Sequence, residues 1–176
     1  MRKTTVAIDV NSRVCTGCRA CEVACSANRE GTVHPAASRI HVVQTGLGPF
    51  DIPVVCHRCS DAPCVAACPP RASALSQDPV SGLISLDVQS CLRSKGSDCR
   101  RCARVCPAGA IRNHSVSDMP MFCDLCGGDP ACVRSCAFQA LAFLPGASFD
   151  GRHYARRADE IAADLHVGLY GRTDVG

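Results

Sequence analysis

Apolar and polar residues alternate from Thr4 to Val10 with a β-branched bias, which predicts a strand. The alanine-rich run C-R-A-C-E-V-A-C-S-A at 18–27 predicts a short helix. Ile40–Val43 and Ile52–Val55 read as strands either side of a turn at Gly46–Pro49, where glycine and proline interrupt the pattern. Ala74–Gln77 and Leu83–Asp87 flank Asp78-Pro79 and Ser81-Gly82, which predicts a second hairpin. Towards the end, Tyr154, Ala158, Ile161, Leu165 and Leu169 recur at steps of three and four. This is an amphipathic helical stripe over Tyr154–Gly171. Such a stripe packs on its own domain or docks on a partner subunit, and periodicity alone leaves both open.

Elements this short bury little, and composition sharpens the point. Cysteine supplies 16 of the 176 residues, and without it the 47% hydrophobic fraction falls to about 38%. Aromatic residues make up 4%, with no tryptophan. Something besides leucine and phenylalanine must fill the interior, which disfavours a plain enzyme with an apolar pocket. No apolar run reaches the roughly 18 residues of a spanning helix. No apolar stretch follows Met1-Arg2-Lys3 as in a secretory signal, so the expectation is a cytoplasmic protein whose thiols stay reduced. Metal-bound thiolates are then the better reading than eight disulfides.

The cysteines fall into four groups of four: Cys15, Cys18, Cys21 and Cys25; Cys56, Cys59, Cys64 and Cys68; Cys91, Cys99, Cys102 and Cys106; Cys123, Cys126, Cys132 and Cys136. None is left over, and every group ends in C-x3-C. Zinc is the rival, but structural zinc sites pair C-x2-C with a second pair a dozen or more residues on. The first group packs three thiolates into seven residues, as in bacterial two-cluster ferredoxins, where the fourth cysteine crosses to the neighbouring cluster. Four groups predict four [4Fe-4S] clusters, bound in pairs. The pairing is serial (one with two, three with four) or nested (one with four, two with three), and spacing does not separate these. At about −2 per oxidised cluster, the formal charge of +3 becomes roughly −5.

His57, within C-H-R-C, reads as a neighbour of Cys56 rather than a ligand, since four cysteines already saturate each cluster. Arg93, Lys95, Arg100, Arg101 and Arg104 crowd the third group, either balancing an anionic cluster or offering a docking patch to an acidic partner. There is no phosphate loop and no G-x-G-x-x-G, and Glu22, Asp51, Asp61 and Asp124 are scattered. No catalytic residue is expected.

Taken together, V-A-I-D-V, C-T-G-C-R-A-C-E-V-A-C, C-H-R-C-S-D-A-P-C-V-A-A-C-P, C-R-R-C-A-R-V-C-P-A-G-A-I and C-D-L-C-G-G-D-P-A-C-V-R-S-C give a sequence that resembles a known family. It is similar to the four-cluster ferredoxin-like electron-transfer subunits of molybdenum and tungsten oxidoreductases, of the dimethyl sulfoxide reductase, formate dehydrogenase and hydrogenlyase types, with tungsten aldehyde oxidoreductases among the possible hosts. The resemblance implies an α+β fold of two nested dicluster-ferredoxin-like lobes, with short helices and hairpins around the clusters. An outer lobe would take residues 1–45 and 115–150, an inserted lobe 46–114, and a helical tail 151–176.

The family's nested pairing then implies the ligands. Cluster 1 would take Cys15, Cys18, Cys21 and Cys136, and cluster 2 Cys123, Cys126, Cys132 and Cys25. Cluster 3 would take Cys56, Cys59, Cys64 and Cys106, and cluster 4 Cys91, Cys99, Cys102 and Cys68. Three departures stand out: seven residues between Cys91 and Cys99 where the family usually has two, so that Leu92–Asp98 must loop out; Ser26 and Ala137 where proline often follows the last cysteine; and no membrane anchor of the kind some relatives carry. The implied function is non-catalytic relay of single electrons in an anaerobic setting. A molybdenum- or tungsten-pterin catalytic subunit would stand at one end and a flavin- or quinone-linked subunit at the other, with no nucleic acid. A free-standing polyferredoxin carrier and a zinc-binding interaction module are the alternatives, and head-to-tail self-association is a lesser expectation.

Overall fold

The computed structural model describes residues 7–46, 49–144 and 155–171. In sequence order run β1 (Ala7–Val10), α1 (Ala20–Glu30), β2 (His41–Gln44), β3 (Asp51–Val54), α2 (Pro63–Ala66), β4 (Leu75–Gln77) and β5 (Ile84–Leu86). There follow α3 (Arg101–Arg104), α4 (Ala131–Arg134), β6 (Leu141–Leu144) and α5 (Ala158–Tyr170). The fold is thus a small mixed one of helices and strands. The strands form three two-stranded antiparallel ladders: β1 with β6, β2 with β3, and β4 with β5.

The expected hairpins form, β2–β3 with Val43 opposite Ile52 and β4–β5 with Ser76 opposite Ser85. Residues 47–48 of the first turn, and 4–6 of the first predicted strand, lie outside the described residues. The unexpected ladder is the long-range one, Val10 opposite Leu141 and Ile8 opposite Phe143. It closes the protein on itself, so that α1 packs on α4 while α2 packs on α3.

The apolar interior comes in three small clusters, and cysteines belong to each. Ile8, Ile40, Val42, Val55, Leu125 and Leu141 pack with Cys21, Cys25 and Cys132. Phe50, Ile52, Val54, Ala108 and Ala110 pack under Ala155, Ala158 and Ala162, with Cys59 and Cys106 at the edge. Leu75 and Ile84 pack with Ala62, Cys64, Cys68 and Cys102. The β2–β3 hairpin serves two of these cores because strand side chains alternate. Val42 faces the first, and Val43 and Ile52 face the second.

The tail stripe packs on its own protein: Ala158 and Ala162 are buried and Ile161 and Leu165 half-buried against β3, while Leu169 stays 65% exposed. Tyr154, its first member, lies outside the described residues. Helix α1 runs three residues past the predicted 27. Ser26 continues it, with its hydroxyl donating to the Val23 carbonyl at 3.0 Å and accepting from the His34 amide at 3.1 Å. A proline here would remove a helical donor and break this helix.

Candidate metal centres

None of the sixteen cysteines forms a disulfide, and the fold gathers twelve of them around common spaces. The same local device places the third cysteine of each group. Cys21, Cys64, Cys102 and Cys132 each occupy the second position of a helix, α1, α2, α3 and α4 respectively. Cys25, Cys68, Cys106 and Cys136 each follow four residues on, one helical turn or about 5.4 Å along.

In three groups the first two cysteines are set by one backbone kink. The residue just before the second cysteine is left-handed: Gly17 at φ 66°, Arg58 at 52° and Leu125 at 60°. Gly17 takes this conformation at no steric cost, and a Cβ there would force the Asp51 carboxylate to move. Arg58 and Leu125 accept the left-handed penalty of roughly 1–2 kcal/mol for a residue with a Cβ. In the last group the Asp124 carboxylate accepts the Cys126 amide at 3.1 Å and pairs with Arg29, fixing that loop.

Three spaces emerge, each lined by four sulfurs. Cys15, Cys18, Cys21 and Cys136 line one of about 320 Å³, including its solvent-open part. Cys56, Cys59, Cys64 and Cys106 line another of about 380 Å³. Cys68, Cys91, Cys99 and Cys102 line a third of about 360 Å³. The remaining four thiols neighbour one another, Cys132 sensing Cys25 and Cys126, and Cys123 sensing Cys132. Cys123 also senses Cys56, so two of the thiol sets adjoin. Among the described residues no group of three or more His, Cys, Asp or Glu is arranged to hold a single metal ion.

Burial pushes the Cys21, Cys64, Cys123 and Cys132 thiols up to about 12, with neighbouring thiols adding to the effect in each case. A raised pKa opposes the thiolate form, so holding several of these sulfurs as thiolates around one space is favoured by a positively charged centre, as when iron is bound by four cysteines. Backbone amides already point at three of the sulfurs. Ala110 donates to Cys106 Sγ at 3.3 Å and Ala140 to Cys136 Sγ at 3.2 Å, while Arg39 donates to Cys25 Sγ at 3.3 Å. Such donors stabilise sulfur-held negative charge. The donor sets fit an iron–sulfur group.

The segment between Cys91 and Cys99 does not simply loop out. Residues Leu92–Lys95 form a 3-10 turn, closed by left-handed Gly96, and Arg93 folds inward. Its guanidinium donates to the Cys99 carbonyl at 3.1 Å and pairs with Asp118 and Asp98. Arg100 also pairs with Asp98, at 2.8 Å. Aspartates thus pair with two of the five basic residues that the sequence sets beside this group. His57 is half-buried, its Nδ1 has no partner among the described residues, and burial followed by the adjacent Arg58 lowers its pKa to about 4, leaving a neutral ring.

Two residues escaped the sequence reading. Glu22, read as one of several scattered carboxylates, is 5% exposed and accepts the Val42 amide. Arg58, overshadowed by His57 in the same motif, is 2% exposed. Its one sequence signal is an arginine inside a C-x2-C loop where the first group has glycine.

Residues 50–145 match the 4Fe-4S dicluster domain family. Over 122 residues the protein is 40% identical to the polyferredoxin-like subunit of an aliphatic sulfonate oxidoreductase from Pyrococcus furiosus, matching 69% of this sequence and 66% of that one. It is 34% identical over 148 residues to the beta subunit of NADH-dependent phenylglyoxylate dehydrogenase from Aromatoleum evansii, matching 82% of this sequence and 31% of that one. The B subunit of polysulfide reductase from Wolinella succinogenes is 31% identical over 151 residues, with 76% and 72% matched. The protein therefore spans just under two thirds of the first of these relatives and about a third of the second. No helix among the described residues is long and apolar enough to cross a membrane.

Proposed function

The protein belongs to the 4Fe-4S dicluster domain family, and from that premise we propose that it is a non-catalytic electron-transfer subunit holding four [4Fe-4S] clusters. The observation that carries the reading is the grouping of twelve of the sixteen cysteines around three spaces, four to a space, with one cysteine of each set contributed by a different motif. Cluster 1 is assigned to Cys15, Cys18, Cys21 and Cys136, and cluster 2 to Cys123, Cys126, Cys132 and Cys25. Cluster 3 is assigned to Cys56, Cys59, Cys64 and Cys106, and cluster 4 to Cys91, Cys99, Cys102 and Cys68. When bound, a [4Fe-4S] cluster takes up and gives back one electron, with a potential set by charge, hydrogen bonds and exposure.

The protein's own residues supply the order of the sites. Cys21 and Cys25 lie one turn apart on α1 and join the first site to the second. The neighbours Cys123 and Cys56 join the second to the third, and Cys64 and Cys68, at and just beyond α2, join the third to the fourth. Sites in a row, each within a helical turn or a side chain of the next, are what a one-electron relay needs. The contacts of α1 with α4 and of α2 with α3 support the nested arrangement, an outer lobe of residues 1–45 and 115–150 around an inserted lobe of 46–114. The partners proposed are a molybdenum- or tungsten-pterin catalytic subunit at one end and a flavin- or quinone-linked subunit at the other. The relatives named as subunits of oxidoreductases support assembly with other subunits of such a complex.

Anaerobic purification of the protein with its bound partners, followed by EPR during stepwise reduction, tests the reading. Co-purification with a pterin-bearing subunit and successive signals integrating to four reducible centres support it. A colourless, EPR-silent protein overturns it.

A further inference from the structure

Arg58 is 2% exposed, and its Nε, Nη1 and Nη2 have no hydrogen-bond partner among the described residues. No carboxylate among them pairs with it, although the more exposed Arg29, Arg100, Arg134 and Arg156 all have one. A buried guanidinium left so is expensive unless a countercharge faces it. Its side chain lines the space bounded by Cys56, Cys59, Cys64 and Cys106. It also interacts with the thiols of Cys56 and Cys123, one from that set and one from the set of Cys25, Cys126 and Cys132. Its backbone is held left-handed at φ 52°, the position that glycine takes in the first motif. A strained arginine thus sits at the seam between two thiol sets, where the described residues offer only sulfur to answer its charge.

We propose that Arg58 is a positioning residue, the shared countercation of clusters 2 and 3, that raises the reduction potentials of both and so favours electron occupancy at the junction between the two halves of the relay. The inference rests on the cluster assignment proposed above. Each one-electron reduction adds one negative charge to a cluster, and a fixed positive charge beside it stabilises the reduced form relative to the oxidised form. The other two sites lack this cation: Arg58 lines neither the space of Cys15, Cys18, Cys21 and Cys136 nor that of Cys68, Cys91, Cys99 and Cys102. The effect is therefore expected on two midpoints of four.

The test is an EPR-monitored redox titration of the full-length, cluster-loaded protein, comparing wild type with Arg58→Gln and Arg58→Lys, alongside iron and sulfide analysis of each. Wild-type iron content reports on the cluster assignment separately from the potentials. Two midpoints shifting downwards in Arg58→Gln, with two unmoved and Arg58→Lys near wild type, is the expected result. Unchanged midpoints in a fully loaded Arg58→Gln protein overturn the proposal, as does an equal shift of all four. If Arg58→Gln loads poorly, Arg58→Lys decides. Full loading with wild-type midpoints supports a role for the charge, and the same deficit as Arg58→Gln contradicts it.

Discussion

The buried carboxylate of Glu22 accepts the backbone amide of Val42 at 2.6 Å. This one bond ties α1, which carries Cys21 and Cys25, to the β2–β3 hairpin. A hydrogen bond to a charged group contributes about 1.5–3 kcal/mol, and losing it strands a buried amide. Glu22→Ala should lower stability by that amount, and Glu22→Gln by less, because its amide oxygen still accepts. Guanidinium unfolding of the cluster-loaded protein, followed by circular dichroism, measures both.

The proposed crossing of fourth cysteines makes a non-additive prediction. Cys25→Ala and Cys132→Ala strike one proposed site, so the double variant should lose no more than the roughly four irons that one disrupted cluster releases. Cys25→Ala with Cys21→Ala strikes two sites and should lose about eight. Iron analysis after anaerobic loading would contradict the nested pairing if the Cys25→Ala, Cys132→Ala double also lost about eight, as serial pairing requires.

What the sequence made legible was whatever is local. Thiol spacing, the two hairpins and the stripe from Ala158 to Leu165 are set by residues a few positions apart, and all appear where their patterns lie. The strand Leu141–Leu144 was not legible, because four residues carry little periodicity and the partner is at the other end of the sequence. Arg58 was hidden for a related reason: it interacts with the thiols of Cys56 and Cys123, which lie far apart in the sequence. The aspartates that neutralise Arg93 and Arg100 were equally out of view, since Asp118 reaches Arg93 across twenty-five residues.

His41 carries a pH signature. Burial, reinforced by Arg112, lowers its pKa to about 4 against an ordinary 6.5, and its Nδ1 has no partner among the described residues. Between pH 6.5 and 4 the unfolded state takes up a proton that the folded state refuses, so stability falls as pH falls through that window. By pH 5 the loss from this group should be about 1–2 kcal/mol. His41→Leu should flatten the difference between pH 7 and pH 5 in denaturant titrations, and an unchanged slope would remove His41 from the account.

Ala162 on α5 is fully buried against the Phe50 and Ile52 core, whereas Leu169 on the same helix is mostly exposed. Ala162→Asp places an unpaired charge there and should cost about 3 kcal/mol or more, releasing α5. Leu169→Ser should change stability by less than about 0.5 kcal/mol. Thermal unfolding of the two variants side by side, with proteolysis of the tail as a second readout, checks the contrast.

The central claim is that sixteen cysteines hold four [4Fe-4S] clusters, and its most direct measurement is iron and acid-labile sulfide per protein molecule after anaerobic purification. The account predicts about sixteen of each, from sixteen ligands at four per cluster. About eight irons, or zinc without sulfide, would contradict it.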